Sequence, residues 1–189
     1  MMMMPLQGSI AAEAFNCSEP PNFNNFDVNS CCRTPEINLN DVPQRCQQYI
    51  KQLKSANENY PAYAHICYPE CIYRETGALV NGQLNMVQVK RFLMTHVHRK
   101  DRDILPEIER SFEKCLANIK GHMKKANIEA YNVLPHGCSP FASMIYSCVN
   151  AETFLHCPAK MWKSDRNCLI AKQFAEQCNP LPHVPLPMN

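Results

Sequence analysis

Twelve cysteines stand in a chain of 189 residues, and their thiols are the side chains with the most chemistry to offer. A thiol can ligate a metal, attack an electrophile or be oxidised to a disulfide, and spacing separates these uses. Zinc modules are built on Cys-x-x-Cys steps. The sequence holds no such step and no His at zinc-finger distance from a Cys pair. An even count allows complete pairing. Disulfides persist in oxidising compartments, so the cysteines imply a secreted, extracellular protein.

The other reactive residue types form no catalytic or metal-binding set. His96 and His98 are two positions apart, so on a helix they point in different directions and read as solvated. No metal and no cofactor are expected. Secreted phospholipases share a Cys-Cys pair and a helical body, but their chemistry requires a His–Asp pair beside a calcium loop. Here Cys31-Cys32 is followed by Arg33-Thr34-Pro35, with no His–Asp pair close by. A Gly-x-Ser-x-Gly elbow is also missing from the sequence, which therefore does not read as an enzyme. The sequon Asn16-Cys17-Ser18 has a middle residue expected to lie in a bridge.

Basic and acidic side chains number 19 and 17, a net charge of +2, so nothing points to nucleic acid or to an anionic membrane surface. Arg99-Lys100 and the cations from Lys120 to Lys125 read as helix C-termini, where positive charge complements the macrodipole. No run reaches the roughly 18 apolar residues of a membrane span, so no membrane insertion is expected. Residues 1–14 contain no apolar signal-peptide core, and the secretory reading rests on the cysteines alone. The Met1–Met4 run and the rest of 1–14 are read as an extraneous or disordered leader. One domain is expected over 15–178, with a proline-rich tail over 179–189.

The cysteines must be positioned by helices. Residues 15–40, rich in Asn, Pro and Ser, predict a loop arm carrying Cys17, Cys31 and Cys32. Asp41 as N-cap, Pro43 in the first turn and Cys46, Tyr49, Ile50 and Leu53 at helical spacing predict a helix over 41–55. Pro61 opens and Gly77 ends a second, over 61–75. After a turn at Asn81-Gly82, the stripe Met86, Val89, Leu93 and Val97 predicts a third over 83–99. Ile104, Ile108, Phe112, Cys115, Ile119 and Met123, widened by Leu105 and Leu116, predict a fourth over 104–125. Pro135, Gly137 and Pro140 mark a break. A fifth apolar face runs from Phe141 to Leu155 and is closed by Cys157-Pro158, and a sixth helix covers 159–177. With no sustained two-residue alternation, the fold class is all-α, with about six helices and six disulfides.

On these helices Cys67 and Cys71 share one face, one turn apart, and can pin their helix to two neighbours. Cys148 and Cys157 would stand ~13 Å apart along a straight helix, too far to bridge each other. The neighbours Cys31 and Cys32 should serve separate partners.

The run Cys46, Cys67, Cys71, Cys115, Cys148 and Cys157, with three residues inside the Cys67–Cys71 step and eight inside the Cys148–Cys157 step, resembles the six-cysteine signature of insect odorant-binding proteins. Cys138 ahead of Cys148, the Pro158 that follows Cys157, and Cys168 and Cys178 beyond it are similar to the Plus-C subgroup of that family. The resemblance implies a helical shell around an apolar cavity that carries small hydrophobic, volatile or lipophilic molecules through aqueous sensory fluid. It also implies bridges from first to third, second to fifth and fourth to sixth cysteine, giving Cys46–Cys71, Cys67–Cys148 and Cys115–Cys157. Each of Cys17, Cys31 and Cys32 is then expected to pair with one of Cys138, Cys168 and Cys178.

Such a carrier needs a dry concave surface rather than a catalytic group. The candidate ligand-binding residues are Leu93, Val97, Ile108, Phe112, Leu116, Phe141, Met144, Ile145 and Val149. An olfactory receptor and a second copy of the chain are candidate protein partners. His156 and His183 are candidates for an acid-sensitive end of the cavity, with Cys168 and Cys178 expected to keep the effect modest. The alternative reading is a secreted disulfide-rich structural or inhibitory protein acting through its surface.

Overall fold

Among the described residues, six α-helices, α1 (Val42–Ser55), α2 (Tyr60–Glu75), α3 (Met86–His96), α4 (Leu105–Lys125), α5 (Pro140–Leu155) and α6 (Arg166–Gln177), carry the chain in the computed structural model. The described residues are 14–22, 26–55, 60–125 and 138–178. The Met1–Met4 run, the break at Pro135 and Gly137, His183 and the proline-rich tail lie outside them.

Local chemistry sets the helix ends. Asn85 caps α3 by accepting from the backbone N–H groups of Val87 and Gln88, and Ser139 caps α5, with Pro140 in the first turn. Asp165 caps α6 by accepting from Cys168 N–H. After α2, Gly77 adopts φ 72°, a left-handed conformation that ends a helix at little steric cost.

Three boundaries differ from the sequence-based expectation. The turn at Asn81-Gly82 joins two short antiparallel strands, β1 (Leu79–Val80) and β2 (Gln83–Leu84), so α3 starts at Met86 rather than at 83. Asn81 and Gly82 both have positive φ, the requirement of a tight two-residue hairpin. Helix α3 stops at His96 because Val97 is extended and pairs with Ile37 of the arm. A 3-10 turn, Arg99–Ile104, then leads into α4. Residues 159–165 are not helical, since Cys32 pairs with Trp162 there, Arg33 N–H donates to the Met161 carbonyl and Lys163 N–H donates to the Cys31 carbonyl. Residues 31–38 of the arm therefore form a strap hydrogen-bonded through the backbone to residues 161–163 on one side and 96–98 on the other.

The main core lies where α3, α4 and α5 meet, with Ile104 and Ile145 fully sealed from solvent. Helix α5 buries Phe141, Ala142, Met144, Ile145, Cys148 and Val149, and it packs against α2, α4 and α6. Burial on several sides is what a helix with few polar residues must find.

All twelve cysteines are paired. Cys46–Cys71 forms as the resemblance implies, and Cys17 and Cys31 join Cys178 and Cys168. The other three bridges differ. Cys67 joins Cys138 rather than Cys148, Cys115 joins Cys148 rather than Cys157, and Cys157 takes Cys32. The cause is where α5 begins and ends. Cys148 lies inside α5 against α4, whereas Cys157 lies beyond the His156 C-cap, beside the arm. Cys138 directly precedes the α5 N-cap, which the Glu70 carboxylate draws to α2 by accepting from Ser139 N–H. The interlaced order survives with Cys138 and Cys148 as fifth and sixth.

Candidate functional site

A cavity of about 860 Å³ lies between α2, α3, α4 and α5, with the arm along one side. On α4 and the preceding turn, Ile104, Ile108 and Phe112 recur at four-residue spacing and present one stripe to it. Val89 and Leu93, one turn apart on α3, face it together with Phe92. Helix α2 contributes Pro69, Ile72, Tyr73 and Thr76, the same helical stripe again. Val149 and Phe154 of α5, Ala78, and Cys32, Pro35, Ile37 and Leu39 of the arm add to the apolar lining.

Among the described residues no Asp, Glu, Lys or Arg lines this cavity. Its polar side chains are hydroxyls, amides and His65, and those of α5 (Ser143, Ser147, Asn150 and Thr153) follow one another at helical spacing. Ser147, Asn150 and Tyr146 are exposed, so this row belongs to the rim. Tyr73 packs its ring on Phe112 at 6.1 Å between centroids. Burial, with a smaller contribution from Tyr146, pushes its hydroxyl far above the usual tyrosine range, so it remains protonated and able to donate.

Covalent and ionic ties hold the walls. Cys115–Cys148 joins α4 to α5, Cys67–Cys138 joins α2 to the start of α5, and Cys32–Cys157 joins the arm to the residues after α5. Asp101, 2 % exposed, is a buried ionic tie of the arm, beside the exposed Lys100–Glu36 pair. Its Oδ2 accepts from Glu36 N–H at 3.1 Å. Arg33 stands 3.0 Å from Oδ1 as an ion partner, without hydrogen-bond alignment. Helix α3 contains no cysteine and is held by packing, by the Ile37–Val97 pairing at its end, and by Lys90 facing Glu109 and Glu113 of α4.

Of the nine candidate ligand-binding residues, Leu93, Ile108, Phe112 and Val149 line the cavity. Val97, Leu116, Phe141, Met144 and Ile145 pack in the main core, with Leu116 at its partly buried margin. Apolar periodicity reports which face of a helix is buried, but a packed interior and a cavity wall give the same pattern. Sequence reasoning missed Ile72 and Tyr73, which the spacing of Pro69, Ile72, Tyr73 and Thr76 could have pointed to. It also missed Pro35 and Ile37, for which an irregular segment offers no periodic signal. His156 lies at the end of α5, its Nδ1 3.6 Å from Glu152, and does not line the cavity. Among the described residues no group of three or more His, Cys, Asp or Glu could hold a metal ion, and no helix is long and apolar enough to cross a membrane.

The sequence model of a family described as AgamOBP47-like matches residues 35–174. That span takes in all six helices except the last residues of α6, and the cavity walls from Pro35 to Phe154. No curated protein matches the chain.

Proposed function

From the membership of this chain in the AgamOBP47-like family, an insect odorant-binding family, we propose that it is a secreted carrier that takes small hydrophobic molecules into the cavity between α2, α3, α4 and α5 and moves them through aqueous extracellular sensory fluid. The observation that carries this reading is the cavity itself. Its volume of about 860 Å³ falls in the range of small-molecule sites, and its walls are apolar with a few polar groups. A ligand burying about 300 Å² of apolar surface gains roughly 7.5 kcal/mol at ~25 cal/mol per Å². Loss of motion offsets several kcal/mol of that, which leaves micromolar affinity as the expectation.

Leu93, Ile108, Phe112 and Val149 are the proposed contact residues from the sequence, joined by Ile72, Tyr73 and Phe92. Delivery to an olfactory receptor and self-association belong to the same proposal and follow from the family alone. Titration of the full chain with a fluorescent apolar probe tests the reading. Saturable uptake near one probe per chain, displaced by volatile lipophilic molecules, is expected. Absence of saturable uptake would overturn it in favour of a disulfide-rich protein acting through its surface.

A further inference from the structure

We infer that the cavity selects neutral ligands bearing a hydrogen-bond acceptor, such as ketones, esters or ethers, and that the Tyr73 hydroxyl is the donor that recognises them. This deepens the carrier reading and rests on it. Three observations combine. First, among the described residues the lining contains no Asp, Glu, Lys or Arg, and its His65 is exposed to water, so an anionic or cationic head group drawn inside would lose its hydration without gaining a buried counter-charge. Second, the hydroxyls around the cavity are not equivalent. Thr76 Oγ1 donates to the Ile72 carbonyl at 2.8 Å and Thr153 Oγ1 donates to Ser111 Oγ at 3.3 Å, so both are engaged within the protein. Ser147 and Asn150 are exposed at the rim, where water competes for them.

Third, Tyr73 stands apart from these by packing against the main core, whereas Tyr68, which also lines the cavity, packs against the two smaller clusters and Ser143 belongs to the rim row of α5. It packs against the main core and on Phe112, yet its hydroxyl makes no hydrogen bond to a described residue and is not among the sealed side-chain oxygens. A tyrosine that packs its ring on Phe112 and lines the cavity beside Ile72 and Ile108 rewards an acceptor placed at its hydroxyl more than the same group in water would. Discrimination then comes from hydrogen bonding superimposed on a shared hydrophobic contribution. An alkane gains only the latter, and a fatty-acid anion must either stay at the rim or strand its charge.

The test is probe displacement from the full, disulfide-intact chain at neutral pH by a medium-chain methyl ketone, the alkane of equal length and the fatty acid of equal length. The variant is Tyr73→Phe, which keeps the ring on Phe112. The ratio of ketone to alkane affinity should fall about three- to tenfold in Y73F relative to the wild type, the span of one hydrogen bond. The wild type should prefer the ketone to the anion. This order is a second readout that does not depend on the variant folding. A ketone-to-alkane ratio unchanged in a Y73F protein that still takes up probe, or an anion bound at least as tightly as the ketone, would overturn the inference and leave the carrier standing. A wild type that takes up no probe would remove the carrier reading and this inference with it.

Discussion

Cys67 and Cys138 join the middle of α2 to the residue that precedes the α5 N-cap, across 71 positions of sequence. With Glu70 of the same α2 face accepting from Ser139 N–H, the start of α5 is fixed twice against α2. Non-reducing peptide mapping should recover Cys67–Cys138, Cys115–Cys148 and Cys32–Cys157. Replacing both Cys67 and Cys138 by Ala should lower stability by about 2–5 kcal/mol in denaturant unfolding, since the chain-entropy model assigns roughly 4.4 kcal/mol to a loop of this length. A loss below about 1 kcal/mol would mean that this loop is already restrained in the unfolded chain.

Ile108 lines the cavity and Met144 lies in packed core, so enlarging each should have opposite consequences. Ile108→Trp can extend into free volume and should weaken probe binding by about tenfold or more with little change in melting temperature. Met144→Trp must displace its neighbours, costing about 1–3 kcal/mol of stability, and should leave affinity within about twofold. Paired thermal unfolding and probe titrations separate the two, and the reverse pattern would move the site.

Asp101 predicts a local effect. Asp101→Asn removes the charge facing Arg33 and weakens the acceptor for Glu36 N–H, at a cost of about 1–3 kcal/mol. The amides of Asn38 and His98, which bond to the His96 and Glu36 carbonyls, should then exchange with deuterium faster, while those in α4 keep their protection. Uniform acceleration would show that the arm is not a separate opening unit.

Glu70 predicts a pH dependence. Desolvation raises its pKa above the ordinary 4.5, opposed by the Ser139 N–H bond and by Arg74. The folded state therefore binds this proton more readily than the unfolded state. The carboxylate's contribution improves as pH falls from the raised value towards 4.5, and it is lost as pH rises through that window. Glu70→Gln, whose carbonyl can still accept from Ser139, should be more stable than the wild type near pH 7 and lose that advantage on acidification. Melting curves of both proteins across the window decide it, and parallel curves would count against the shift.

What was legible in the sequence follows from what repeats in it. Each of the six helices carries an apolar period, and all were placed within a few residues except the start of α6, where the arm competes for 159–165. Complete cysteine pairing followed from the even count. The partners of Cys67, Cys115 and Cys157 did not, because Cys138–Cys148 and Cys148–Cys157 offer nearly the same spacing. Only the position of the α5 N-cap at Ser139 separates them. Core and cavity were confused on α5 for a related reason: its apolar residues occupy several faces, and Val149 reaches the lining while Ile145, one turn away, does not.

Helix α3 is the one helical wall of the cavity without a cysteine, while α2, α4 and α5 and the arm are bridged. Compliance in a cross-linked shell concentrates in the part that is not cross-linked. Widening or narrowing of the chamber is thus expected as a displacement of α3 and the β1–β2 hairpin against the bridged frame, resisted by side-chain packing, the Ile37–Val97 pairing and the Lys90 ion pairs rather than by covalent bonds. If the cavity takes up ligands as proposed, bulkier ones are expected to be accommodated from that side, with the bridged frame opposite keeping its shape.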